Sequence, residues 1–304
     1  MQGSLTILGC NSALPTSERF STAQVLQMLG RTFLIDCAEG TQVQLRKYKL
    51  KFTAIDHILI SHLHGDHYLG LFGLLSSFNL LGRRKALNIY GPPELAEIVS
   101  FNLKHLEANL QFNIIYHDTS PKQSTVIYED KKITVSTIPL RHRIPTTGFL
   151  FKEKQGFLNI RKDVIDEYGI SLKDIVKIKL GGDYTTQEGT VIPNELLTLQ
   201  QKKHISFAFC SDTAYSEQII PLVQDVDLLY HEATFPDELQ ERARETYHST
   251  ASQAATIARK ANATLLAIGH YSARVSNIRI LEHEAKRIFE NTIAVCDGMV
   301  IPFG

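Results

Sequence analysis

Residues 61–67 read SHLHGDH: three histidines and an aspartate in seven positions, directly after the apolar run Ile58-Leu59-Ile60. In an extended segment, side chains at i and i+2 point to one side, so the imidazoles of His62 and His64 reach the same ion. Gly65 permits the sharp turn that brings Asp66 and His67 back toward a neighbouring position, at the entry of the helical run YLGLFGLLSSF. Four ligands pointing in two directions suit a pair of ions better than one. Two metals sit roughly 3.5 to 4 Å apart and need a bridging ligand, for which a carboxylate with two oxygens is the natural choice. A closed structural zinc site would instead draw on cysteines and leave no surplus ligand.

The same kinds of side chain recur at the ends of other apolar runs. ILIS runs into His62, ITVSTIPL leads to His142, ISFAFCS to Asp212, VDLLY to His231-Glu232 and LLAIG to His270. Ligands of open α/β sheets gather beyond the carboxyl ends of strands, so these five runs are expected to converge on one rim, with Asp212 as the candidate bridge. Mixed imidazole and carboxylate ligation makes zinc the first choice of metal, with manganese or iron as alternatives. His57, His105, His117, His204 and His283 read as satisfied polar or surface residues.

Strand-like runs such as LTILG, AQVLQML, RTFLID, LNIYG, HISFAFCSD, VDLLYHEAT and ATLLAIGH alternate with helical patterns at 40–50, ELAEIVSFNLKHL, 249–261 and 277–290. That order predicts an α/β layered fold for residues 1–304 as one domain. TVIYEDKKITVSTIPL reads as a hairpin turning at residues 129–132. From about 152 to 198 the texture becomes charged and glycine-studded, which marks an insertion rather than core. With 304 residues and 43% hydrophobic content there is ample material for a large core. Lys plus Arg equal Asp plus Glu at 32 each, so any nucleic-acid contact must come from local patches rather than an overall basic field. No run approaches the ~18 apolar residues of a membrane span, and MQGSLTILGC lacks the basic start of a signal peptide, so the expectation is a cytoplasmic protein with no membrane partner. Cys10, Cys37, Cys210 and Cys296 lack paired spacing and read as reduced core or strand cysteines.

His62-Leu63-His64-Gly65-Asp66-His67 is the HxHxDH signature of the metallo-β-lactamase superfamily, and the later segments resemble the tRNase Z family within it. Asp36-Cys37-Ala38-Glu39-Gly40-Thr41-Gln42 is similar to that family's DCGEGTQ, and LRHRIPTTGF at 140–149 to its motif around a metal histidine, here His142. FCSDT, then His231-Glu232-Ala233-Thr234-Phe235, His248-Ser249-Thr250 and His270-Tyr271-Ser272-Ala273-Arg274 follow in the family's order. The resemblance spans nearly the whole chain.

It implies a four-layer αββα sandwich and two zinc ions per subunit. One ion takes His62, His64, His142 and Asp212; the other takes Asp66, His67, His270 and the shared Asp212. The implied activity is a zinc-dependent endoribonuclease that removes the 3′ trailer from precursor tRNA, leaving a 3′-hydroxyl on the tRNA and a 5′-phosphate on the trailer. Asp66 then holds the attacking water and accepts its proton, and His248 donates to the departing 3′ oxygen with Glu232 orienting its ring. Ser249, Thr250 and Gln253 also read as a helix cap with a capping box. A homodimer, in which one subunit's arm holds the tRNA cut by the other, belongs to the same implication. The chain departs from the family in two places. The 152–198 stretch has no Gly-Pro, though residues 152–179 carry seven basic against five acidic residues; and Ser17 and Phe20 of PTSERF stand where the family has Lys and Asn in PxKxRN, a loop tied to rejecting tRNAs that end in CCA. The alternative enzyme reading keeps the metals and takes a small phosphodiester, an arylsulfate or a thioester. A non-catalytic RNA-binding homologue is opposed by the filled ligand positions.

Overall fold

The strand Arg31–Ile35 buries Phe33 and Ile35 in one core and Leu34 in another, and its neighbours repeat the alternation: Leu5 and Ile7 against Leu8, Leu26 against Val25, Leu59 against Ile58 and Ile60. Successive strand residues point to opposite faces, so a run that is apolar at every position has to be covered twice. In this computed structural model, which describes residues 3–105, 109–154, 156–199 and 204–304, that double covering is what is found. Leu106, at the end of the expected helix ELAEIVSFNLKHL, and Gln155 lie outside the described residues.

Two seven-stranded sheets form the centre. The first runs, edge to edge, Val300–Phe303, Gly3–Gly9, Ala23–Met28, Arg31–Ile35, His57–Leu59, Leu87–Gly91 and Ile114–Asp118. The second runs Thr292–Ala294, Leu265–Gly269, Leu228–Glu232, Ser206–Cys210, Thr147–Glu153, Ile133–Pro139 and Val126–Glu129. Aromatic residues of the second sheet meet the inner face of the first, as in the contact of Phe33 with Phe151 at 5.1 Å between ring centroids. The outer face of the first sheet is covered by the helices Thr41–Lys47, Leu71–Leu80 and Glu94–His105 through Leu45, Leu71, Leu74, Leu75, Leu95 and Val99. Ala251, Ala254, Ala255 and Ala258 let the helix Ala251–Lys260 lie close on the outer face of the second. The result is the αββα arrangement. Fully burying each such Leu, Ile or Phe contributes about 1.5–3 kcal/mol.

Parallel pairing fixes where the strands end. Arg31–Ile35, His57–Leu59, Leu87–Gly91 and Ile114–Asp118 run parallel in the first sheet, and Ser206–Cys210, Leu228–Glu232, Leu265–Gly269 and Thr292–Ala294 in the second. Their carboxyl ends therefore lie on one rim of each sheet. After His57–Leu59 the chain makes one helical turn, Gly65–Tyr68, before the separate helix Leu71–Leu80, where a single helix was expected. Gly70 sits at the join, its nitrogen donating to the Cys37 carbonyl at 2.9 Å, and a Cβ there would come within 1.9 Å of the Ala38 oxygen. The join is thereby pinned to the loop that follows Asp36.

Residues Glu153–His204 form a compact unit of their own, distinct from Met1–Lys152 with Ile205–Gly304. It holds the helices Lys162–Tyr168, Leu172–Lys179 and Asn194–Leu197, the two-stranded ladder Tyr184–Thr185 with Val191–Ile192, and a small core of Val164, Ile170, Ile178, Tyr184 and Leu197. Cys10, Cys37 and Cys210 are buried and Cys296 is exposed, all as free thiols. No helix among the described residues is long and apolar enough to cross a membrane.

Candidate metal centre

Three neighbouring parallel strands of the second sheet deliver Asp212, Glu232 and His270 to one rim, and the strands His57–Leu59 and Ile133–Pro139 lead to His62, His64 and His142. Ligand atoms of His62, His64, His142 and Asp212 all lie within 4.8 Å of one another, as do those of Asp66, His67 and His270. Asp212 faces both groups with different oxygens. Its Oδ2 is 3.8 Å from His62 Nε2 and 3.7 Å from His142 Nε2, whereas its Oδ1 is 3.5 Å from His67 Nε2 and 3.1 Å from His270 Nε2.

The imidazoles are oriented from behind. His67 Nδ1 lies 2.8 Å from Asp36 Oδ2, and His62 Nδ1 3.0 Å from the Ser61 hydroxyl, which itself donates to Asp36 Oδ2. His142 Nδ1 meets the Tyr247 carbonyl at 3.0 Å. His270 Nδ1 is 3.1 Å from Thr234 Oγ1, whose proton goes to Glu232 Oε2 at 2.5 Å. Every one of these partners accepts, which assigns the proton to Nδ1 and turns an Nε2 lone pair into the cluster. His67 Nε2 and His270 Nε2 are buried with no hydrogen-bond partner among the described residues. His62 Nε2 and His142 Nε2 face His64 Nδ1 at 2.9 and 3.3 Å. Buried lone pairs directed at one another and at a carboxylate are costly for the protein alone and fit divalent cations.

Electrostatics agree with that fit. Burial opposes charge on Asp212, but His270, His67 and His62 outweigh it and hold its carboxyl well below the usual carboxylate range. Burial also opposes charge on His67, yet Asp212, Asp36 and Asp66 lift its ring to about 10. The pocket thus calls for positive charge where His67 Nε2 points, and a bound cation would supply it in place of a second ring proton. Asp66 completes the group from a partly exposed position, its Oδ2 accepting from the Ala13 nitrogen at 2.7 Å.

Glu232 is different. Its Oε1 accepts from Thr213 N at 2.6 Å and His248 Nδ1 at 2.9 Å, and its Oε2 from Thr234 Oγ1 and from Ser249 N at 3.1 Å. It clusters with Asp212, His248 and His270, but with four donors satisfied it serves to orient rather than to bind an ion. Burial disfavours charge on His248, and Glu232 overrides it, raising the ring to about 9. His248 precedes the helix Ala251–Lys260, whose N-cap Thr250 forms the expected capping box with Gln253. Its ring lies 5.1 Å from that of His142 and 5.5 Å from that of His270.

All seven expected metal residues, with Glu232 and His248, are therefore together. His231 is the correction: strand alternation sends it to the face opposite Glu232, where its Nδ1 donates to the Glu232 carbonyl at 2.7 Å, and it joins none of the clusters. His57, pushed down to about 4 by burial, packs among Phe33, Tyr90 and Tyr128, and His117 stacks on Tyr90. Sequence reasoning gave no role to Asp36, Ser61, Thr234 or the Ala13 and Tyr247 backbone. Partners behind metal ligands typically carry a 10- to 100-fold effect on affinity, so Asp36→Asn is expected to weaken metal binding by about that factor, measured by competition with a chromogenic chelator.

Residues 3–167 match the family described as "Anti-Pycsar protein Apyc1". Over 97% of this chain and 96% of its own length, the ribonuclease Z of Phocaeicola vulgatus is 49% identical. That of Bacteroides fragilis is 47% identical over 98% of each. Among solved structures, the short form of human tRNase Z superposes with a TM-score of 0.72 at 26% identity, covering 99% of both chains.

Proposed function

The chain belongs to the ribonuclease Z family, and through residues 3–167 to the family described as Anti-Pycsar protein Apyc1; from that premise we propose that it is a metal-dependent endoribonuclease that removes the 3′ trailer of precursor tRNA. The observation that carries the reading is the meeting, on one rim, of two converging donor sets with the His248–Glu232 pair. The direct test is incubation with a trailer-bearing precursor tRNA. A single cut after the discriminator base is expected, and no cut by protein with metal confirmed bound overturns the reading. Turnover of a small phosphodiester, arylsulfate or thioester without preference for tRNA would favour the alternative.

The chain's residues divide the work. His62, His64, His142 and Asp212 would hold one cation, and Asp66, His67, His270 and Asp212 the other. When bound, the cations would stabilise the negative charge of the phosphoryl group and lower the pKa of the attacking water. Asp66, fixed by the Ala13 N–H, faces the water and accepts its proton. Glu232 holds His248 by Nδ1, so that Nε2–H gives its proton to the 3′ oxygen as the P–O3′ bond breaks. The tRNA thus keeps a 3′-hydroxyl and the trailer a 5′-phosphate. The donor set, rich in imidazole nitrogen with two aspartates, favours zinc.

The unit Glu153–His204 is the tRNA-gripping arm in this reading, within a cytoplasmic homodimer. The family resemblance supports it, as do Lys173 and Lys177, both exposed on the helix Leu172–Lys179. Each lost phosphate contact lowers the salt slope by about one, so Lys173→Ala with Lys177→Ala is expected to reduce it by about two and to raise KM more than it lowers kcat. Filter binding of precursor tRNA at several salt concentrations reads the slope; an unchanged slope removes these lysines from the interface.

A further inference from the structure

Beside His248 lies a cavity of about 600 Å³, within the range of small-molecule sites, lined among others by Arg141, Tyr215, Arg244, Tyr247, His248 and Gln253. Its charges are mostly spent on one another. Arg244 pairs with Glu241, and Glu245 with Arg242 at 3.3 Å. The Arg141 guanidinium has no hydrogen-bond or ion-pair partner among the described residues, while its backbone is clamped to Thr213 and Ala214. It is an exposed cation one residue from His142. Tyr247 sits at the other end of the same junction: its carbonyl receives His142 Nδ1, its φ is 59°, and the residue is 39% exposed. A large aromatic ring held at an exposed position beside the proton donor is a stacking platform for a base. The Tyr215 hydroxyl is tied to Glu217 at 2.6 Å, which fixes a second ring in the wall.

We propose that this cavity seats the nucleotide whose 3′ oxygen leaves, the discriminator nucleotide, with its base stacked on Tyr247 and a phosphate met by Arg141. The inference rests on the tRNA-cleaving reading above. The side of the cut follows from His248, which lines the cavity and protonates that nucleotide's O3′, so the ribose carrying O3′ must lie against the cavity mouth. Stacking uses the face that every base has, so the site accepts any discriminator base while requiring that one be present.

The test is a cycle of substrate and protein changes, using precursor tRNAs that are unmodified, abasic at the discriminator, or abasic at the first trailer nucleotide. With unaltered protein the discriminator abasic site is expected to raise KM about tenfold or more, and the trailer abasic site much less. In Tyr247→Ala that penalty should vanish, and in Tyr247→Phe it should return, because the ring and not the hydroxyl stacks. A penalty that persists in Tyr247→Ala, or that falls equally on the trailer nucleotide, overturns the inference. Should Tyr247→Ala not fold, Arg141→Gln carries the test: a salt slope reduced by about one supports the phosphate contact, and an unchanged slope overturns it. Failure of the unaltered protein to cut the unmodified precursor overturns the function itself, whereas normal cutting with no discriminator penalty overturns this inference alone.

Discussion

Asp212→Ala is expected to reduce precursor tRNA cleavage at least about 10⁴-fold and to leave less than one tightly held metal ion per chain. Its two oxygens look in different directions, Oδ2 toward His62 and His142, Oδ1 toward His67 and His270. One substitution therefore removes a ligand from both donor sets and the counter-charge that both sets share. Metal-derived stabilisation of developing charge is worth several kcal/mol, and about 1.4 kcal/mol is tenfold in rate, which gives the figure. The comparison variant is His64→Ala. It touches only the set of His62, His142 and Asp212, so the group of Asp66, His67 and His270, with Asp212 Oδ1 beside it, is expected to keep one ion. Metal content by mass spectrometry of the dialysed proteins, with circular dichroism to establish that both are folded, separates the two cases. Two ions retained by Asp212→Ala would remove the bridging role.

The rule that made the site legible was positional. Apolar runs ending in metal-type side chains pointed to one rim because parallel strands share a direction, and the ends at Asp212, Glu232 and His270 do lie side by side. The same rule, counted too coarsely, admitted His231, because a two-residue run end covers both faces of a strand and only one faces the site. Applied more widely it would also have found Asp36: RTFLID is an apolar run ending in a carboxylate, and Asp36 stands just past the strand Arg31–Ile35, holding His67 directly and His62 through Ser61. Thr234, two residues after Glu232, shows how little of a supporting shell sequence can express. Its hydroxyl donates to Glu232 and accepts from His270, a relay set by geometry across two strands rather than by any spacing within one. Backbone partners such as the Tyr247 carbonyl and the Ala13 nitrogen leave no mark in residue type at all. The division of Gly65–Tyr68 from Leu71–Leu80 was hidden for a similar reason, since Gly70 answers to a distant carbonyl and not to helical periodicity.

His248→Ala is expected to lower kcat on precursor tRNA about 10²- to 10⁴-fold, the usual reach of a general acid, while costing far less on bis-p-nitrophenyl phosphate. The contrast follows from the leaving groups. A ribose 3′ oxygen must gain a proton as its bond to phosphorus breaks, whereas p-nitrophenolate departs as a stable anion. Loss of the proton donor therefore burdens chiefly the first reaction, and equal losses on both substrates would instead make His248 a structural or metal-holding residue. Glu232→Gln sharpens the same point through pH. The donor must be protonated, and Glu232 raises the His248 ring against burial, so the acid-dependent rate falls as pH rises through the ring's raised pKa. With the carboxylate replaced, burial is opposed chiefly by Asp212, the ring's pKa drops, and the alkaline limb of kcat should move to lower pH. The amide also presents an N–H where Thr213 N, Thr234 Oγ1, Ser249 N and His248 Nδ1 all donate, so at least one of these contacts is lost, and kcat should fall even on the acidic side of the limb. A profile for Glu232→Gln that keeps the original limb and merely scales downward would mean that the carboxylate positions His248 without setting its proton.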